Sequence, residues 1–366
     1  MPRDGTGELP TQWRHNLKGG GSNCCRKQNS LDVFSAKSPC TQPELRPLNF
    51  AAVPAAKPLH NHGMRETDHT LVTGGEGFIG RWVRSRLLSA GRNVISLDKK
   101  SNNTSGGLFY ACDVTDSQQL KEIFRSHKFN SIVHLASLLP TASKANPEAA
   151  TLVNITGTLN ILAAARHFQV SKIVYASSLN VYGSRSASDT VSETCLTAPE
   201  DLYGAGKKYS ETLGEAYGRN YGIQFVALRI PTVLGPGATA TASPWRSQVF
   251  AYLGGNQRRE ISIPYRADET LSMVHVEDLA EMVAILLDTK QLACSAYNAP
   301  SEIWQLSDLG KEIEVLDNNV HITFGELAVT GFPRRISGDR FKTEFNYTPK
   351  SLKDRLSEAK QRTSQP

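Results

Sequence analysis

The stretch LVTGGEGFIGRWVRSRLLSAGRNVISLD, Leu71 to Asp98, decides the fold. An apolar run ends in spaced glycines at Gly74, Gly77 and Gly80, a helical pattern follows, and a second apolar run closes on one acid. Strand, glycine turn, helix, strand and acid in this order describe a dinucleotide-binding βαβ unit. One glycine makes the tight turn, the next lets the backbone approach a pyrophosphate, and the last admits close helix packing. The helix start at Phe78 offers unpaired N–H groups to phosphates. Asp98 stands 18 positions after Gly80, at the end of the second strand. A carboxylate there accepts hydrogen bonds from both ribose hydroxyls and repels a 2′-phosphate, which favours NAD over NADP. Lys99 and Lys100 weigh the other way, because either ammonium can bind a 2′-phosphate, and NADP stays as the lesser alternative.

Beyond this unit, near-continuous apolar runs such as SIVHLA, KIVYAS and IQFVALRI alternate with helical stretches near residues 117–126, 147–168 and 201–221. Such strands are buried on both faces, so the pattern predicts an α/β fold, a Rossmann-type doubly wound parallel sheet over residues 68–230. After Pro231 the alternation loosens into loops rich in Gly, Pro and Ala, with short strands and a helix from Glu277 to Asp288. Residues 231–355 are read as a smaller C-terminal substrate lobe, with some segments returning to the Rossmann core, and 356–366 as a tail. Residues 1–67, rich in Pro, Gly, Ser and Asn, lack any apolar period and read as a disordered tail. Arg3, Arg14 and Lys18 raise a transit peptide as an alternative, against which Asp4 and Glu8 and the lack of an amphipathic stripe speak. A second alternative starts the natural chain at Met64.

A chain of 366 residues buries a proper core without staples. Its net charge of +6 is spread among mixed acids and bases, which excludes a nucleic-acid footprint. Its apolar runs fall far short of the roughly 20 residues that span a bilayer, so no membrane partner is expected. The six cysteines, Cys24, Cys25, Cys40, Cys112, Cys195 and Cys294, show no metal-ligand spacing. They read as reduced thiols of a cytoplasmic protein with no metal site.

Seven motifs in order, TGGEGFIG (73–80), CDVTD (112–116), VHLAS (133–137), NITGTLNIL (154–162), SSLNVYG (177–183), YGAGK (203–207) and VHVEDLA (274–280), carry a resemblance. The chain resembles the extended short-chain dehydrogenase/reductase superfamily, NAD-dependent epimerase/dehydratase group, over roughly residues 69–355. The resemblance implies that Phe78 and Ile79 lie over the pyrophosphate, Asp98 on the adenosine ribose, and Asp113 and Val114 at the adenine. It places Leu135, Ala136 and Ser137 along the nicotinamide half. Asn154 either holds the strand turn beside the cofactor or caps a helix. Relatives pair through the helices that here begin near Pro147 and Asp201, which makes a homodimer possible.

Tyr203 and Lys207 stand four residues apart, one helical turn, on the same face. A free phenol has a pKa of about 10, and a neighbouring ammonium together with an oxidised nicotinamide favours its phenolate. Tyr203 then serves as general base toward a substrate hydroxyl, and Lys207 also holds the nicotinamide ribose. Ser178, four before Tyr182 as the family's active serine is, would bind the substrate oxygen, with Ser177 the runner-up.

Nucleotide-sugar members carry an Asn where this chain has Thr232, and a diphosphate-gripping Arg where it has Leu271. A diphosphate without that Arg loses its charge-assisted pairing. The segment GATATASPWRSQVF (237–250) is similar to that of short-chain threonine and sugar-acid dehydrogenases. Thr239, Thr241 and Ser243 are candidates to hydrogen-bond a carboxylate or polyol, and Arg246 to clamp a carboxylate or simply to be solvated. His275 and Asp278 are read as stabilising a helix start. The expected function is NAD-dependent oxidation of a secondary alcohol in a small polar or anionic substrate, a sugar acid or hydroxy acid. A nucleotide-sugar epimerase or dehydratase, and a non-catalytic NAD-binding regulator, are the competing readings.

Overall fold

The computed structural model describes residues 68–100, 107–238 and 243–363. In chain order the first part runs β1 (His69–Thr73), α1 (Phe78–Ser89), β2 (Asn93–Asp98), β3 (Leu108–Ala111), α2 (Ser117–Ser126) and β4 (Phe129–His134). Next come α3 (Pro140–Ala145), α4 (Pro147–Thr151), α5 (Gly157–His167), β5 (Lys172–Ser178), β6 (Thr190–Val191), α6 (Leu202–Tyr221), β7 (Gln224–Ile230) and β8 (Thr232–Leu234). Then follow α7 (Trp245–Ala251), β9 (Arg259–Tyr265), β10 (Thr270–His275), α8 (Val276–Asp288), β11 (Ala296–Asn298) and β12 (Glu302–Gln305). The chain closes with α9 (Leu306–Leu316), β13 (Val320–Leu327), β14 (Arg335–Ile336), α10 (Asp339–Phe345) and α11 (Leu352–Thr363).

Seven strands form one parallel sheet in the order β11-β7-β5-β4-β1-β2-β3. The winding reverses between β1 and β4, and ligands bind such sheets in the crevice beyond the carboxyl ends of those strands. Side-chain alternation builds both faces at once. Leu71, Ile95, Ile132, Ile173 and Phe225 are register partners on one face, under α2 and α5. Val72, Val133, Val174 and Val226 form the adjacent row on the other face, under α1 and α8. Each such buried side chain contributes about 1.5–3 kcal/mol before entropy is counted, which explains why these strands read as unbroken apolar runs.

The lobe that caps the carboxyl end combines the three strands β12-β10-β8 with the pair β13-β9. Its core is Trp245, Val249, Ile261, Ile263, Leu306, Leu309, Leu352 and Leu356. Here the structure corrects the sequence boundary: residues 356–362 are no tail but the greater part of α11, and Leu356 is wholly buried. The apolar stripe of that helix is only Leu352 and Leu356 among charged neighbours, too sparse a period to stand out. Among the described residues no helix is long and apolar enough to cross a membrane. None of them forms a group of three His, Cys, Asp or Glu side chains able to hold a metal ion. Residues 1–67, including Cys24, Cys25 and Cys40, lie outside the described part.

Candidate active site

The glycine turn is dictated by sterics at two of its three marked positions. Gly74 has φ +66°, and a Cβ there would sit 2.8 Å from Ala136 N. A Cβ on Gly80 would lie 2.2 Å from Gly74 O, so only glycine lets α1 press against the turn. Gly77 differs, because a Cβ there meets only Gly74 O, at 3.2 Å. Gly77 is thus less tightly walled than its two neighbours in the motif. Gly77 begins α1 with no side-chain cap, and no acid stands in the first turn. The N–H groups at the helix start, Phe78 and Ile79 among them, have no side-chain cap, the arrangement that binds phosphates.

Asp98 closes β2 beside the turn, its Oδ2 accepting from Glu76 N at 3.1 Å and its Oδ1 from Lys99 N at 2.7 Å. Lys99, one of the two candidate 2′-phosphate ligands, is paired with Asp113 at 2.7 Å. Burial pushes the Asp113 carboxyl up, but Lys99 and the Thr115 amide outweigh it and hold the group below its usual range. The Val114 side chain is buried in the core, where it fills the space beside Gly157. Asn154 clasps the loop after β4: its Oδ1 accepts from Leu138 N at 2.8 Å and Ser137 Oγ at 3.0 Å, and its Nδ2 donates to Leu138 O at 3.0 Å. It is no helix cap, since it sits inside a π-helical turn between α4 and α5. Leu135 N donates to Thr73 O at 3.1 Å and Ala136 N to Thr73 Oγ1 at 3.3 Å, which ties this loop to β1.

Ser178 at the end of β5 and Tyr203 and Lys207 on α6 converge at the crevice. Ser178 bears on the Tyr203 phenol and favours its ionised form. The runner-up Ser177 is committed elsewhere, donating to Glu211 at 2.6 Å, and Glu211 also receives Arg229 in a two-pronged pair. Lys207 Nζ donates to Ala176 O at 2.7 Å and lies 5.5 Å from the Tyr203 ring. Burial pushes the Lys207 ammonium down to about 7, with Glu211 opposing. Burial likewise pushes the Tyr203 phenol up to about 12; Asp201 adds to the rise, while Ser178 and Arg246 work against it. The sequence reading has the Lys207 ammonium act on this phenol together with an oxidised nicotinamide. Burial outweighs Ser178 and Arg246, and the positive charge of an oxidised nicotinamide would join them in favouring the phenolate.

Sequence reasoning missed the groups that hold this triad. Asp201 caps α6, its Oδ1 accepting from Gly204 N at 2.5 Å, a role legible in an acid just before a helical run. Asn180 links Ser178 to Asp201, and Thr73, His134 and Thr158 form a buried chain of hydrogen bonds behind β4. Nothing local in the sequence marks these.

Of the proposed substrate residues, Thr239 and Thr241 lie outside the described residues. Ser243 accepts from Arg246 N at 3.3 Å through its carbonyl. Arg246 stands at the start of α7 with its Nε buried and without a hydrogen-bond partner. Burial pushes its guanidinium down from its ordinary range, opposed by Tyr265 and Tyr203, which lie close by. Thr232 is buried in β8, and Leu271 is buried in the lobe core. His275 Nδ1 accepts from Glu277 N at the start of α8, and Asp278 receives Arg355 through two bonds of 2.9 Å.

Comparison with known proteins follows this geometry. The profile described as the NAD dependent epimerase/dehydratase family matches residues 70–299. A UDP-glucuronate 4-epimerase of Thermodesulfobacterium geofontis is 31% identical over 229 residues, 57% of this chain and 68% of its own. The mitochondrial L-threonine 3-dehydrogenase of Bos taurus is 27% identical over 274 residues, 71% of this chain and 72% of its own. Among solved structures, the L-threonine dehydrogenase of Phytophthora infestans superposes with a TM-score of 0.73 at 24% identity, covering 81% of this chain and 99% of that one. The Thermus thermophilus UDP-glucose 4-epimerase in complex with NAD gives 0.69 at 23% identity, covering 81% and 98%. These two share the fold.

Proposed function

The chain belongs to the NAD-dependent epimerase/dehydratase family, and from that premise we propose that it is an oxidoreductase acting on a secondary alcohol of a small anionic substrate, with Tyr203 as general base. The substrate class is a hydroxy acid or sugar acid, or a hydroxy amino acid such as the L-threonine named for the bovine relative. NAD supplies the hydride acceptor and, when oxidised, a positive charge beside the phenol. Gly74, Gly77, Phe78, Ile79 and Gly80 would hold its pyrophosphate, Asp98 its adenosine ribose, Asp113 and Val114 its adenine, and Leu135, Ala136, Ser137 and Asn154 the nicotinamide side. Lys207 would steady the nicotinamide ribose, and Ser178 would keep the substrate oxygen within reach of Tyr203.

One observation carries the choice of an anion: the Arg246 guanidinium stands near Tyr203 with its Nε buried and unpartnered. A guanidinium whose Nε is buried without a partner gains a charge-assisted bond from a carboxylate. The core position of Leu271 speaks against a gripped diphosphate, which disfavours the nucleotide-sugar alternative. Convergence of Ser178, Tyr203 and Lys207 speaks against a regulator without chemistry. Incubation with NAD and a panel of hydroxy acids, hydroxy amino acids and UDP-sugars tests the reading. Release of NADH with an acid supports it, while turnover of a UDP-sugar with no NADH release overturns it in favour of epimerisation. Tyr203→Phe lowers the turnover of the active substrate by about 10²–10⁴-fold with NAD binding retained.

Leu159 on α5 and Tyr209 on α6 are exposed on helices that pack together. A homodimer through these helices is part of the proposal, and a sedimenting monomer would exclude it.

A further inference from the structure

The cation that follows the acid of β2 is already engaged at the crevice. Asp98 and Ala111 are register partners at the ends of β2 and β3, and Cys112 N donates to Asp98 O at 2.9 Å, so the two strands leave the sheet side by side. Lys99 and Asp113 stand just beyond those ends, and Lys99 Nζ meets Asp113 Oδ2 at 2.7 Å. An exposed ion pair is weak in part because two flexible side chains must be held in one geometry. Here one of the two is held beforehand. Asp113 Oδ1 accepts from Thr115 N at 2.9 Å, which fixes the carboxylate in a turn of its own chain and leaves Oδ2 for Lys99. Lys99 N donates to Asp98 Oδ1 at 2.7 Å, so the backbone of the lysine is tethered to the acid beside which a 2′-phosphate would have to sit.

We infer that Asp113 is a cofactor-specificity residue: by engaging the Lys99 ammonium it withholds an adjacent cation from a 2′-phosphate, so that NAD is preferred through two acids rather than through Asp98 alone. The inference rests on the placement of Asp98 at the adenosine ribose. Asp98 repels the phosphate, and Asp113 occupies the cation that would offset this repulsion. Lys99 has to leave Asp113 before it can reach a 2′-phosphate. The worth of the pair is therefore subtracted from NADP binding and not from NAD binding.

Dissociation constants of NADH and NADPH, read from the fluorescence of the bound nucleotide, test this without any substrate. The proteins compared are the wild type, Lys99→Met, Asp113→Asn and the double variant. The quantity compared is the ratio of the two constants, in which a general loss at the adenine side cancels, and Lys100 is present throughout. Asn at this position keeps an oxygen for the Thr115 N–H, and Asp113→Ser, which does the same, repeats the comparison should the first variant fail to fold. Asp113→Asn is expected to move the ratio toward NADPH. Loss of a negative charge does that by itself, so the coupling decides. Lys99→Met is expected to cost NADPH about 3–5-fold more in the Asp113→Asn background than in the wild type, the upper range for an exposed ion pair. Equal or smaller costs in that background mean bare charge and overturn the inference. Asp98→Asn isolates the premise. If it moves the ratio toward NADPH while the costs are equal, the pairing alone is overturned; if it leaves the ratio unmoved, the ribose placement falls and the inference with it.

Discussion

The glycine turn and the wall around Arg246 both offer positive potential at the carboxyl edge of the same sheet, by opposite means. At the turn the charge is backbone: uncapped N–H groups of α1, held by contacts so tight that Gly80 leaves no room for a Cβ. At the wall it is one guanidinium with a buried, unpartnered Nε. The turn would recognise what every dinucleotide shares, and tolerates little change. The wall would recognise what distinguishes one substrate from another. Tyr203 stands beside the wall, buried, where the Arg246 charge reaches it.

Three measurements break or sharpen this contrast. Gly80→Ala is expected to cost about 3 kcal/mol, the upper end of overpacking, because the colliding atom is Gly74 O in the backbone and cannot swing away. Loss of NAD binding together with a lowered melting temperature would show it, and retention of both would mean that the turn is not steric. Arg246→Met is expected to lower kcat/KM for an anionic substrate by about 10–100-fold, the loss of a charge-assisted bond, with the NAD dissociation constant unchanged. An equal loss with a neutral alcohol would strip Arg246 of its role.

The third measurement concerns Lys207, whose folded value of about 7 lies below its ordinary 10.5. Below about 7 both folded and unfolded chains carry the charge, and the fold bears the full desolvation cost. Between about 7 and 10.5 the unfolded chain binds more protons, so this contribution to stability climbs with pH. The stability of the wild type relative to Lys207→Met therefore rises through that window, read by denaturant melts at several pH values. A flat difference would mean that the ammonium is solvated.

Much of the cofactor side was legible in the sequence, because its signals are local. A glycine at a left-handed φ, an acid at a strand end and an apolar strand buried on two faces each leave a mark within a few residues. The last helix was not legible, since Leu352 and Leu356 make sense only against Leu306 and Ile263, far away in the chain. The spacing to Tyr182 ranked Ser178 above Ser177 in the sequence, whereas the commitment of Ser177 to Glu211 was hidden, because it joins two elements.

What the amino-acid order settled was the doubly wound sheet, the glycine turn and the spacing of Tyr203 and Lys207, all of which follow from periodicity and short-range sterics. Folding settled the electrostatics. Whether a phenol is acidic, whether an ammonium stays charged and whether an arginine finds a partner depend on burial and on groups that meet only when distant segments pack. Desolvation grows with the whole surrounding structure, and no window of sequence contains it.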